Sequence, residues 1–185
     1  MKGRNSMIRK FAFAAAAMAV TFVLLGPVER AQAHATLDLR EAPAGSYQKL
    51  AVRIGHGCEG TPTRVVRVRI PDGVTSVKLQ PKPGWKAGVV REKLAAPQTD
   101  AHGRSITEVV REAFWRGGRL EDDAFDEFAM QVKLPESPDT TLYFPVVQEC
   151  EKGVHRWIQI PEAGKSAREL KEPAPALRLG APQKH

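Results

Sequence analysis

Little in this 185-residue chain advertises a chemistry: it has two cysteines, 6% aromatic residues and none of the short motifs that mark common enzymes. There is no phosphate-cradling glycine loop, no GxSxG elbow and no HExxH helix, which excludes the usual forms of nucleotide, serine-hydrolase and zinc-protease chemistry. No CxxC spacing occurs, so a cysteine-based zinc or dithiol site has no support. There is no internal repeat and no convincing long amphipathic helix. Past residue 25 no apolar run approaches the roughly 20 residues needed to span a bilayer.

What is present begins with an export signal. Lys2, Arg4, Arg9 and Lys10 precede an apolar run from Phe11 to Leu25, and Ala31-Gln32-Ala33 follows Gly26 and Pro27. A basic segment, a short apolar segment and an A-x-A site in that order predict a signal peptide over residues 1–33, cleaved before His34. Ala33-His34-Ala35 has the same pattern, and a cut there would leave Thr36 first. Five of the 28 basic residues and one of the 21 acids lie in the signal, which leaves 23 against 20, a net charge of +3. The remaining basic residues alternate with apolar ones instead of clustering, which argues against nucleic acid as a partner. A periplasmic or secreted product with no membrane span in its mature chain is expected.

In an oxidising compartment an even cysteine count favours pairing, so a Cys58–Cys150 disulfide is expected. Apolar residues recur with period two, most strictly in Val66-Arg67-Val68-Arg69-Ile70, and the segments end at turn signals such as Pro71-Asp72-Gly73. Further short segments run over residues 105–115, 125–134, 141–148 and 154–160. This pattern predicts an all-β fold, an antiparallel immunoglobulin-like β-sandwich over residues 34–162, with a closed barrel as the competing architecture. Residues 95–103, with Pro97, read as a loop. Residues 163–185 carry Pro173, Pro175 and Pro182 among charges and read as a solvated extension, with one short helical turn near residues 167–171.

Five histidines are scattered at positions 34, 56, 102, 155 and 185. His34 differs from the rest because signal cleavage would give it a free α-amine. That amine and the ring Nδ1 can chelate one ion, and such an amine ordinarily titrates at about 7.7–8, so losing its proton at neutral pH is cheap. Nitrogen donors in a square arrangement suit Cu(II). Gly55-His56-Gly57-Cys58-Glu59-Gly60 is a polar, glycine-rich turn in which His56 or Glu59 could offer a further donor. Trp85, Trp115 and Trp157 are core candidates, and any one of them could lay its ring over a bound cation. Asp126-Glu127 are adjacent on a strand and point to opposite faces, so they cannot share a site.

Taken together these segments resemble the YcnI-like family of exported copper-binding domains, in a cysteine-containing variant. The resemblance runs through His34-Ala35-Thr36-Leu37, His56-Gly57-Cys58-Glu59-Gly60, Ile70-Pro71-Asp72-Gly73-Val74 and Pro83-Gly84-Trp85. It continues through Trp115-Arg116-Gly117-Gly118, Phe125-Asp126-Glu127-Phe128, and Phe144-Pro145-Val146-Val147-Gln148-Glu149-Cys150 with Gly153 and Trp157. It implies one Cu(II) held by a histidine brace on His34, with Glu59 as carboxylate donor, His56 as the alternative, and Trp157 as an aromatic wall. It also implies copper sequestration, or delivery to another exported copper chaperone or copper enzyme, without catalytic turnover. The competing expectation is an immunoglobulin-like structural or interaction module that holds no metal; it predicts Trp157 buried and far from the N-terminus.

Overall fold

The computed structural model describes residues 34–99 and 103–182. The expected signal peptide, His102 and His185 lie outside the described residues. The rest is built from twelve strands: β1 (Thr36–Leu37), β2 (Glu41–Pro43), β3 (Tyr47–Ile54), β4 (Thr63–Arg69), β5 (Thr75–Leu79), β6 (Lys86–Thr99), β7 (Ser105–Leu120), β8 (Asp126–Lys133), β9 (Thr141–Tyr143), β10 (Val146–Cys150), β11 (Val154–Trp157) and β12 (Ala176–Gly180). One sheet has the order β1-β3-β8-β5 and the other β11-β10-β4-β7-β6; a small third sheet is β2-β12-β9.

The alternation seen in the sequence decides which faces meet. In β3, Leu50, Val52 and Ile54 share one face, and Leu50 and Val52 pair with Met130 and Phe128 of β8, so both strands turn their apolar sides the same way. In the facing sheet, Val66 and Val68 of β4 pair with Trp115 and Ala113 of β7. The two layers meet where the Trp115 and Phe128 rings approach to 5.6 Å, and Trp85 closes on the Phe128 edge at 5.0 Å. Trp115 and Trp85 are therefore core residues. Gly118 makes the Trp85 seat possible, because a Cβ there would lie 2.1 Å from the indole. Gly118→Ala is expected to overpack this contact and lower stability by about 1–3 kcal/mol, measurable as a lower urea midpoint at unchanged m-value.

Asp126 and Glu127 do point apart: Asp126 meets Lys82 at 2.6 Å and Glu127 meets Arg53 at 2.7 Å. Two expectations need correction. Residues 95–99 are not a loop but the end of β6, where Gln98 pairs with Ile106 and Thr99 with Ser105. This stretch is exposed on nearly every side, so no apolar alternation marked it as a strand. Pro97 falls where the ladder shifts register between Lys93 and Gln98, so no ladder hydrogen bond is demanded of it.

The second correction concerns residues 163–185. The exposed single 3-10 turn occurs, at Ala167–Glu169. Beyond it the chain returns as β12, parallel to β2 and antiparallel to β9, with Leu177 and Leu179 fully buried. The sandwich therefore does not end at residue 162. On its way back the chain hydrogen-bonds to the segment after β11: Gln159 N–H donates to the Glu172 carbonyl and Ala174 N–H to the Gln159 carbonyl.

Candidate metal centre

β10 and β11 form a hairpin at the edge of the larger sheet, with Val146 opposite Trp157 and Gln148 opposite His155. Period two puts His155 and Trp157 on one face of β11, beside each other. Their rings stack at 4.8 Å and 29°. The His56 ring stands edge-on to His155 at 5.6 Å, and the His34 ring stands edge-on to Trp157 at 5.5 Å and 88°. Four rings thus form a row, His34, Trp157, His155 and His56, from three parts of the chain.

Gln148 holds this row together. Its side chain is buried; its Nε2 donates to the His56 carbonyl at 2.7 Å and to Thr63 Oγ1 at 2.8 Å, and its Oε1 accepts from Trp157 Nε1 at 3.1 Å. Next to it the Cys58–Cys150 disulfide, with Cα atoms 5.8 Å apart, ties the turn after β3 to the end of β10. The indole N–H is thereby committed, and the ring is locked in place between the two histidines. Gln148→Leu keeps the bulk but strands Trp157 Nε1 and the His56 carbonyl. It is expected to cost about 2–4 kcal/mol and to shift the Trp157 fluorescence, read by denaturation and emission spectra.

His34 arrives along β1, which pairs with β3 through Thr36 and Arg53. Continued two residues back, the same register sets His34 against Gly55, the neighbour of His56. Ala35 anchors the strand in the core at 4% exposure. Among the described residues the His34 imidazole has no hydrogen-bond partner, and its Nε2 is buried. A buried polar nitrogen left unpaired costs about 1–3 kcal/mol, and structures retain such atoms where a ligand or function compensates.

His34 and Trp157 therefore come together, and His56 belongs to the same row. Glu59 is placed differently. It is exposed, adopts a left-handed backbone conformation at φ 50°, and sets its carboxyl group 3.2 Å from where a Cβ on Gly153 would be. Gly153 is four residues from Trp157, about 13 Å along an extended strand. Among the described residues no three His, Cys, Asp or Glu side chains gather into one metal-holding group. The sequence did not single out His155, Gln148 or Glu172 for this site. His155 left a trace there, standing two residues from Trp157 on a segment read as a strand, and Gln148 stood in the 144–150 motif of the resemblance.

A family model described as a domain of unknown function, DUF1775, matches residues 34–179, most of the chain. The chain belongs to the DUF1775 family. The DUF1775 domain begins at His34, where the signal is expected to be cut, and it ends within β12, which agrees with the burial of Leu177 and Leu179. No curated protein matches the chain. Among solved structures, an uncharacterized protein from Nocardia farcinica with an immunoglobulin-like fold is 27% identical, with a TM-score of 0.59 over 80% of this chain and 98% of that one. The all-β, immunoglobulin-like architecture expected from the strand pattern is thus the fold found. The disulfide points to an extracytoplasmic protein. Among the described residues no helix is long and apolar enough to cross a membrane.

Proposed function

We propose that this DUF1775 domain is an exported copper-binding protein, periplasmic or secreted, which holds one Cu(II) at its mature N-terminus and sequesters it or passes it to another copper protein. The observation that carries the proposal is the His34 imidazole, whose buried Nε2 has no hydrogen-bond partner among the described residues and whose ring packs edge-on against a Trp157 with its N–H already taken by Gln148. Cleavage before His34 adds the α-amine, which with Nδ1 completes a bidentate nitrogen donor. The 55–60 turn supplies a third donor, Glu59 or His56. The ring row sets His56 beside His155, with Trp157 between His155 and His34, so Glu59 is the donor proposed. Trp157 acts as a wall that limits access of water to one side of the ion and offers its π face to positive charge. The proximity of Trp157 to the N-terminus also runs against the expectation attached to a metal-free module.

That metal-free alternative has two observations in its favour, the first being that Trp157 is buried, as it predicts. β11 is an edge strand, and Val154 on it and Ile158 and Ile160 just beyond it are exposed. Such an edge suits strand addition by a partner. Titration of Cu(II) into the chain starting at His34, against the same chain with one residue added in front, separates the two. Equal binding by both excludes the brace, and no stoichiometric copper on either favours the module.

A further inference from the structure

The row of rings contains a second pair of nitrogen donors besides the His34 chelate. His56 Nδ1 lies 2.5 Å from the Gly57 carbonyl oxygen. A carbonyl only accepts, so Nδ1 must be the protonated nitrogen of that ring, and Nε2 of the neutral imidazole carries the lone pair. His155 Nδ1 lies 2.9 Å from Glu172 Oε1, and the same logic makes Nδ1 the donor and Nε2 the lone pair. Among the described residues neither Nε2 has a hydrogen-bond partner. Histidines that ligate metals are arranged in this way: one ring nitrogen donates to a carboxylate or backbone carbonyl, which sets the tautomer and orientation and leaves the other nitrogen for the ion.

The spacing of the two rings fits as well. With a nitrogen–metal bond of about 2.0 Å and a nitrogen about 1.2 Å from its ring centre, two imidazoles sharing one ion have centroids at most about 6.4 Å apart. The His56 and His155 centroids are 5.6 Å apart. His155 is 29% exposed and Glu172 26%, so an ion can reach the pair from solvent. The Glu172 carboxylate supplies one negative charge behind His155, and its Oε2 also accepts from the Arg156 backbone N–H at 3.3 Å, which holds it in place. The stacked Trp157 ring adds a π surface beside the pair.

We infer that His56 and His155 form a two-imidazole site for Cu(I), through Nε2 of each, separate from the His34 amine. Two neutral nitrogen donors satisfy a closed-shell monovalent ion, whereas Zn(II) calls for four ligands in a structural site and Cu(II) for a square of donors. A site with only two protein ligands leaves positions open to an incoming partner's ligand, which suits transfer of copper more than its storage. The return of the chain after β11 serves this site: it carries Glu172 back to His155, with the backbone bonds between Gln159 and residues 172 and 174 fixing the approach.

The test uses the chain with one extra residue before His34, so that the chelate of the proposed function is absent, in anaerobic buffer with ascorbate and a competing Cu(I) chelator. One equivalent of Cu(I) is expected. His155→Phe, which keeps an aromatic ring against Trp157, is expected to weaken it at least tenfold, and Glu172→Gln by roughly 10- to 100-fold. Urea denaturation of each variant establishes that the fold is retained. Absence of stoichiometric Cu(I), or binding indifferent to His155→Phe in a folded protein, overturns the inference. The Cu(II) titration of the chain starting at His34 is a separate readout, so either site can fail while the other stands.

Discussion

Replacing Cys58 and Cys150 together by alanine is expected to lower the free energy of unfolding by about 4 kcal/mol and the melting temperature by roughly 8–16 °C. The bond joins residues 92 apart in sequence, so it removes a large closed loop's worth of freedom from the unfolded chain. It also acts locally. The turn that carries His56 is held to the β10–β11 hairpin by the disulfide, by Thr61 Oγ1 donating to the Lys152 carbonyl at 2.9 Å, and by Gln148. Without the covalent link the hydrogen bonds made by Thr61, Pro62 and Gln148 must hold the turn. The His56 and His155 rings are then expected to lose their fixed spacing before the sandwich melts. Urea denaturation with and without reductant measures the first effect, and protection of the 56–61 amides from hydrogen exchange measures the second. A loss below about 1 kcal/mol would show that the loop is already restricted in the unfolded chain.

A single residue added ahead of His34 is expected to weaken Cu(II) binding on the order of 100-fold, equivalent to about 2.7 kcal/mol, with no change in stability. The addition converts the amine of His34 into an amide and moves the free α-amine one peptide unit away from the imidazole, which breaks the amine–Nδ1 chelate. The fold does not notice, because His34 lies outside β1 and the first buried anchor is Ala35. Binding through the amine also displaces its proton, so the affinity of the correctly cleaved protein rises with pH up to the amine's ordinary range of about 7.7–8 and then levels off. The extended protein should lack that slope. Isothermal titration at three pH values distinguishes the two behaviours. A cut before Thr36 would remove the histidine altogether, and intact mass of the exported protein reveals which cut occurs.

Much of the architecture was legible in the residues. Alternation in 66–70 and 126–134, with turn triplets between, is a local signal, and it specified strands with one buried face. The disulfide likewise followed from a count of two, and it agrees with the extracytoplasmic location expected from the N-terminal pattern. Where the sequence misled, the cause was the loss of that local signal. The 95–99 stretch is exposed on both faces and shows no alternation. β12 is five residues long, lies among prolines and charges, and is buried only because β2 and β9 come from elsewhere to flank it.

The sequence by itself determined that this is a sandwich of short strands carrying a histidine at the expected start of its mature chain, because periodicity and cleavage signals are written in neighbouring residues. Only the tertiary structure decided which histidines stand together. β1 brings His34 to Trp157, the disulfide and Gln148 bring His56 to His155, and the strand that looked like a loose tail brings Glu172 behind it. These partners are separated by up to 123 positions, from His34 to Trp157. No local pattern encodes such a distance; strand register and the packing of one sheet edge over the other do.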